Sequence, residues 1–374
     1  MKILSLSNCP LVESQGSGYV ALNFIRGLRA LGHEVDAFGP EDFEWLPWLR
    51  RGKNWRLAFG LAWCAFRKLR EKNYAVVEFY GGHAWLAAAV LNLIPNRRFL
   101  MVNHSNGLEP YCEEVKAQFL GESRHQPAPV HWAYSKVDAI VTVSEDERRF
   151  VLRAKLQDAG HVVAFENALP DTFLNLPVES HRPPVILYCG SWLPRKGVAM
   201  LKAAMPEMLR EFPEYQFRLV GVGQAFRKQD HFPPDVCDRI EVVPFVSDKL
   251  ELRRQYQSAR IVVVPSIYES FGLVTAEAMA CGCAVVTTDI GFGADLKSGV
   301  EAVVISGRSS PVLCQALKTL LPNGARRFAI ARRGHARVQR LQWKPAIAGL
   351  ERAYTGWLRE RQELTDAPAL VQAR

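Results

Sequence analysis

Glu269 and Glu277 stand eight residues apart around a small glycine-containing turn, Ser270-Phe271-Gly272-Leu273. Before them lies an apolar run that reads as a buried strand, Ile261-Val262-Val263-Val264-Pro265, and Glu277 leads into Ala278-Met279-Ala280, good helix formers. The local reading is strand, glycine turn, helix start. A helix start offers unpaired backbone N–H groups and a partial positive charge, which suits phosphate. Carboxylates beside it accept hydrogen bonds from hydroxyls and repel phosphate. A ligand carrying both a phosphate and a polyol fits this pattern, and a nucleotide sugar is such a ligand.

Gly190-Ser191-Trp192-Leu193-Pro194-Arg195-Lys196-Gly197 also follows a strand-like run. Gly190 allows backbone to approach a ligand closely, and Arg195 and Lys196 supply charge for a diphosphate. Alone, this pair reads rather as a solvated surface turn; beside the two-Glu motif it reads as the anion half of one site. Gln15-Gly16-Ser17-Gly18 follows the first strand and precedes a helix, a second ligand-facing turn. His104 lies just past the strand predicted over 99–102, at the strand end that faces ligands in open α/β sheets; a structural and a site role are both open to it.

These motifs need strands that end where they begin. Strand patterns recur at 3–6, 34–38, 75–79, 99–102, 139–143 and 162–165, with a helical pattern at 19–31 closed by Gly32. The Pro-rich segment 176–184 interrupts the alternation, as interdomain linkers do. It then restarts with strands at 185–189, 217–220, 240–244, 261–265 and 284–287 and helices at 198–212, 249–258 and from Thr275. Such alternation predicts α/β architecture: two parallel-sheet units in tandem with a cleft between them. A last periodic helix at about 345–364 precedes a tail expected to fray after Thr365.

A chain of 374 residues is long for a single core. Its net charge of +9, from 47 Lys and Arg against 38 Asp and Glu, favours anionic partners without choosing among them. The eight cysteines form no CxxC pair and no zinc-like cluster, and read as buried reduced thiols of a cytoplasmic protein. The N-terminal apolar run is too short for a signal peptide, and the longest apolar runs fall short of the roughly 20 residues that span a bilayer.

Several chemistries are disfavoured. There is no GxGxxG, and Asp36 lies mid-strand, against a nicotinamide-binding Rossmann unit. No Asp-x-Asp, GxSxG or Walker A motif occurs. Paired-carboxylate hydrolysis needs Glu269 and Glu277 to flank one bond, whereas a turn leading into a helix sets them to bracket one ligand.

With these motifs in hand, the chain resembles the family 4 (group 1) glycosyltransferases of the GT-B fold over nearly its full length. The resemblance rests on the Gly16 loop, Gly32-His33-Glu34-Val35, Val143-Ser144-Glu145, Arg195-Lys196-Gly197, Gly221-Val222-Gly223 and the stretch from Glu269 through Gly282. It implies a retaining, metal-independent transferase that uses no cofactor and takes its sugar from a nucleotide-diphosphate donor, UDP- or GDP-linked. It further implies an acceptor-side domain over 1–175, with 345–374 crossing back onto it, and a donor-binding domain over 185–344. By that analogy Glu277 holds the ribose hydroxyls and Glu269 the sugar hydroxyls. The amides of Phe271, Gly272 and Leu273 meet sugar and phosphates, Arg195 and Lys196 meet the diphosphate, Phe245 and Val246 lie near the base, and His104 lies beside the transferred sugar. Ser191 departs from the Arg of many members, Asn106 from a His of some, and Ala168 from the usual Gly.

Residues 43–72 concentrate Trp45, Trp48, Trp55 and Trp63 with Arg50, Arg51, Lys53, Arg56, Arg67, Lys68, Arg70 and Lys72, opposed within the stretch by Glu44 and Glu71. This composition suits an anionic membrane surface. The other reading packs the aromatic residues in the first domain and leaves the charges solvated. No nucleic-acid motif accompanies the basic residues. The acceptor expected is an envelope glycan or a lipid-linked acceptor; a small soluble acceptor, or a non-catalytic binding protein of the same fold, are the competing readings.

Overall fold

A computed structural model describes residues 1–13, 16–49, 51–105, 107–122 and 129–371, with side chains through 363. Gln15, Arg50 and Asn106 lie outside the described residues. The chain forms two compact units, one of residues 1–114, 124–167 and 343–374, the other of 115–123 and 168–342.

The first unit holds a six-stranded parallel sheet of β1 (Lys2–Ser7), β2 (Glu34–Phe38), β3 (Val76–Tyr80), β4 (Leu100–His104), β5 (Ala139–Thr142) and β6 (Val162–Ala164), in the order β2-β1-β3-β4-β5-β6. The order reverses between β1 and β3, where Ile3 pairs with Val76 and Ser7 with Tyr80. The helix Gly16–Ala30 buries Val20, Phe24 and Leu28 on one face, the spacing of an amphipathic helix. It begins at Gly16, so the glycine turn read as loop is the first helical turn; a Cβ on Gly18 would sit 2.4 Å from the Pro10 carbonyl oxygen. β4 runs two residues further than predicted and ends on His104, because Asn103 and His104 keep pairing with β3 and β5.

The last helix, Trp343–Val371, belongs to this unit and puts Ile347, Leu350, Tyr354 and Trp357 into the core with Phe24, Val76 and Val102. It runs through Val371 rather than fraying after Thr365, a stretch rich in the helix formers Ala367, Ala369 and Leu370.

The second unit holds β7 (Val185–Cys189), β8 (Gln216–Val220), β9 (Ile240–Val243), β10 (Ile261–Val264), β11 (Ala284–Thr288) and β12 (Val303–Ile305), in the order β12-β11-β10-β7-β8-β9. All pairs are parallel. Here the reversal falls between β7 and β10. Ile186, Phe217, Leu219, Ile261 and Val263 pack with Leu201, Met205 and Leu317 of the covering helices, each buried side chain contributing about 1.5–3 kcal/mol. The segment read as a linker is stitched into this unit: Arg182 donates to the Ala259 and Cys281 carbonyls at 3.3 and 2.5 Å. Cys281 and Cys283 lie buried in the turn between the helix Leu273–Ala280 and β11, as expected of buried thiols.

Candidate functional site

Because β7 and β10 are neighbours, the turns after them lie side by side at the carboxyl edge of the second sheet, where open α/β sheets bind ligands at the reversal of strand order. The Ile267 amide donates to the Arg195 carbonyl at 2.8 Å. Gly197 adopts φ +73°, and a Cβ there would come within 1.8 Å of the Pro265 carbonyl oxygen. Only glycine lets the two turns approach this closely.

The approach puts Lys196 Nζ 2.5 Å from Glu269 Oε1, and Ser266 Oγ donates to the same oxygen at 2.7 Å. Burial pushes the Glu269 carboxyl up, but the charge and hydrogen bond of Lys196, the Ser266 hydroxyl and the charge of Arg195 outweigh it and hold the group below its ordinary range. Glu269 is therefore ionised beside two cations. Gly190, with φ +144°, turns the chain directly after β7.

The helix Leu273–Ala280 starts immediately after Gly272, two residues earlier than the predicted Thr275, with Gly272 at φ +99° as N-cap. Phe271 packs against Phe292 at 5.0 Å, and the Phe292 amide donates to the Phe271 carbonyl at 2.7 Å. Glu277, inside this helix, is 5% exposed. Tyr256 donates its hydroxyl to Glu277 Oε2 at 3.0 Å, and Lys249 Nζ lies 3.5 Å from Oε1. Burial dominates here and raises the carboxyl despite both partners. Phe245 is 67% exposed in the connection between β9 and the helix Lys249–Gln257, with Val246 half-buried beside it.

Gly190, Arg195, Lys196, Phe245, Val246, Glu269, Phe271, Gly272, Leu273 and Glu277 all belong to the second unit, while Gly16, Gly18 and His104 belong to the first. Ser266, Tyr256 and Lys249 escaped the sequence reading. Ser266 sits next to the predicted strand end and Lys249 follows Asp248, which caps its helix through Leu250 and Glu251; Tyr256 shows no local signal.

His104 is interior. Its ring is 2% exposed, stacked on Tyr80 at 4.5 Å, and its Nε2 lies 2.7 Å from the Tyr354 hydroxyl. Tyr354 donates to Glu78 Oε1 at 2.6 Å. Burial lowers the His104 pKa to about 3, so the ring is neutral, and raises that of Glu78 to about 7.

The aromatic stretch splits between its two readings. Helix Lys53–Glu71 buries Leu57, Ala58, Leu61 and Ala65, while Trp55, Phe59, Trp63 and Phe66 are 40–55% exposed along another face. Trp45 and Trp48 are exposed too, Trp48 by 74%. Opposing charge is greater than the stretch alone suggests, because Lys72 pairs with Asp36 at 2.7 Å and with Glu34, both of β2. Among the described residues, no helix is long and apolar enough to cross a membrane.

Residues 14–171 match the family described as Glycosyltransferase Family 4, and residues 183–323 match that described as Glycosyl transferases group 1. The chain is 30% identical over 313 residues to a D-inositol 3-phosphate glycosyltransferase of Kineococcus radiotolerans, covering 73% of this chain and 69% of that protein. It is 28% identical over 228 residues to a phosphatidyl-myo-inositol mannosyltransferase of Mycolicibacterium smegmatis, covering 59% of this chain. The chain spans about half the length of several curated relatives it matches, 58%, 43% and 44% of three of them. A sucrose-phosphate synthase from Thermosynechococcus elongatus superposes with a TM-score of 0.77 at 20% identity, over 96% of this chain and 100% of that one. Anabaena HepE in complex with UDP superposes with a TM-score of 0.69 at 17% identity, over 95% of this chain and 100% of that one. With two six-stranded parallel sheets and both family matches, the chain belongs to the family 4 (group 1) glycosyltransferases of the GT-B fold.

Proposed function

We propose that the protein is a retaining glycosyltransferase that moves a sugar from a UDP- or GDP-sugar to an acceptor hydroxyl. The observation that carries this reading is the Lys196–Glu269 pair, set between two turns at a strand-order reversal and beside the start of the helix Leu273–Ala280. Lys196 and Arg195 take the diphosphate. The amides of Phe271, Gly272 and Leu273 reach phosphate and sugar. Glu269, kept ionised, accepts from sugar hydroxyls, and Glu277 accepts from the ribose. Exposed Phe245, with Val246, offers an apolar surface to the base, and Gly190 leaves room for the donor.

In the transfer, the bond from the anomeric carbon to the leaving phosphate oxygen breaks. A bond from the acceptor oxygen to that carbon forms on the same face, and the acceptor proton passes to the leaving phosphate. The cations stabilise charge growing on that phosphate, so the protein contributes electrostatics and positioning. No metal or cofactor enters this scheme. Gly16 and Gly18, at the start of the first unit's first helix, serve the acceptor side, and His104, neutral and held by Tyr354 at the end of β4, backs the transferred sugar from inside the fold.

The acceptor is a lipid-linked or envelope glycan, met at the inner face of the cell membrane by a cytoplasmic, peripherally bound enzyme. The exposed Trp48, Trp55, Phe59, Trp63 and Phe66, interleaved with Arg51, Lys53 and Arg70, support this reading. The name of the phosphatidyl-myo-inositol mannosyltransferase it resembles is in keeping with it, whereas that of the D-inositol 3-phosphate glycosyltransferase fits the competing small soluble acceptor.

A thermal-shift screen against UDP-, GDP- and ADP-sugars, followed by nucleoside diphosphate release with an added glycan acceptor, tests the proposal. Stabilisation by one donor and its turnover are expected. No stabilisation by any of them, or binding without turnover, overturns the catalytic reading.

A further inference from the structure

The first unit has its own reversal of strand order, between β1 and β3. The Gly16 turn lies further along the connection after β1; the residues directly at the two strand ends have not yet been assigned. Asn8 follows β1, and Gly81-Gly82-His83 follows β3. The glycines let these turns meet: a Cβ on Gly81 would lie 2.2 Å from Asn8 Nδ2. The Gly82 amide donates to Glu109 Oε1 at 2.8 Å and fixes the turn from its other side.

Asn8 Nδ2 lies 3.1 Å from His83 Nδ1, and His83 Nε2 lies 3.4 Å from Asn54 Oδ1. Burial and Lys53 lower the His83 pKa against the opposing charge of Glu109, so the ring is neutral. One neutral tautomer satisfies both contacts: Asn8 donates to Nδ1, and Nε2–H donates to Asn54. That order leaves the Asn8 carbonyl oxygen and the Asn54 amide nitrogen unused by this chain of bonds, one acceptor and one donor. An acceptor–donor pair of this kind is complementary to neighbouring hydroxyls.

Beside it runs a row of indoles. Trp85, two residues after His83, packs edge-on against Trp55 at 5.2 Å and 87°, and lies 6.4 Å from Trp132 at 60°. Trp55 is 52% and Trp132 37% exposed. Aromatic faces next to a few fixed polar groups form the usual composition of a small-molecule site, and an indole face suits the C–H face of a sugar ring. Lys53 and Glu109 bring opposite charges, so the site favours neither anion nor cation.

We propose that Asn8, His83 and Asn54, with Trp85 and Trp132, form a binding subsite for the cyclic polyol ring of the acceptor, a pyranose or cyclitol. His83 is a positioning residue that sets both amides; Asn8 and Asn54 touch the hydroxyls. The assignment of this ring as acceptor rests on the transferase reading above.

The test titrates the whole chain with methyl α-D-mannopyranoside and with myo-inositol, read by tryptophan fluorescence and by saturation-transfer NMR. Millimolar binding to one of them is expected. Asn8→Ala and Trp132→Ala should each weaken it by roughly tenfold or more. His83→Gln, which keeps a hydrogen-bonding side chain, should retain more binding than His83→Ala. Asn8→Ala removes only a partly exposed amide and keeps the readout should Trp132→Ala not fold. Absence of binding by either probe, or equal binding by wild type and Asn8→Ala, overturns the subsite. So does a response of the indoles to octyl phosphocholine but to neither polyol, which assigns the row to lipid. A nucleotide thermal shift on the wild type separates the failures: nucleotide binding without polyol binding defeats this subsite alone, and polyol binding without nucleotide binding defeats the transferase reading.

Discussion

Lys196 Nζ lies 2.5 Å from Glu269 Oε1, joining two residues 73 positions apart across the turns that follow β7 and β10. Both side chains are largely covered, 17% and 15% exposed. Removing one partner of such a pair strands the other, which costs more than the pair itself contributes.

Lys196→Ala should therefore lower transfer by about 100-fold or more and destabilise the unliganded protein by about 3 kcal/mol. Adding Glu269→Gln should restore most of the stability and none of the transfer. The Glu269 carboxyl sits below its ordinary range. Its contribution is thus complete above the unfolded carboxylate pKa and is lost as pH falls through the folded one. Urea titrations at descending pH should show the gap between wild type and Lys196→Ala closing in acid. A gap independent of pH would refute this account of the pair.

Glu277 has the opposite sign. Burial raises its folded pKa, so its ionised form opposes folding above the unfolded carboxylate pKa, and the opposition fades as pH falls through the folded one. Glu277→Gln can still accept from Tyr256. It should raise the melting temperature at neutral pH and weaken the donor-induced thermal shift. A melting temperature unchanged at neutral pH would count against the strain assigned to this carboxylate.

Glu78 titrates near 7 in the folded protein because it is fully buried, held by the Tyr354 hydroxyl. Between pH 4.5 and 7 the unfolded chain gives up this proton first, so stability should fall as pH rises, by up to about 3 kcal/mol. Glu78→Gln should flatten that part of the melting profile. Tyr354→Phe leaves Glu78 and His104 short of a partner and should cost about 1–3 kcal/mol. Parallel melting profiles for wild type and Glu78→Gln would contradict the assignment.

Trp48 and Trp63 are 74% and 55% exposed. Replacing both with Ala should leave stability within about 0.5 kcal/mol each and reduce co-sedimentation with anionic vesicles. Arg51→Glu with Arg70→Glu should do the same at low salt, with little effect at high salt. Vesicle binding that survives all four changes would move the membrane contact elsewhere.

Local chemistry carried the turn motifs well. Glycine turns, helix starts and basic pairs are written in a few consecutive residues, so Gly190 through Gly197 and Glu269 through Glu277 were legible, as were most strands. His104 was harder to read: two more paired residues put it inside β4, and a helix 250 positions later covers it. Asn8, Asn54 and His83 carry no mutual spacing at all.

The residue string by itself determined the alternating pattern, the two parallel-sheet units and which side chains could meet a phosphate and a polyol, because strand and helix periods and turn chemistry are short-range. The tertiary structure alone decided that Lys196 pairs with Glu269, that Tyr256 covers Glu277, that Tyr354 closes on His104 and Glu78, and that Asn8 meets His83 at the first sheet's reversal. Those partners are selected by strand order and by close approach of glycine backbone. Both arise only when segments distant in the chain pack together.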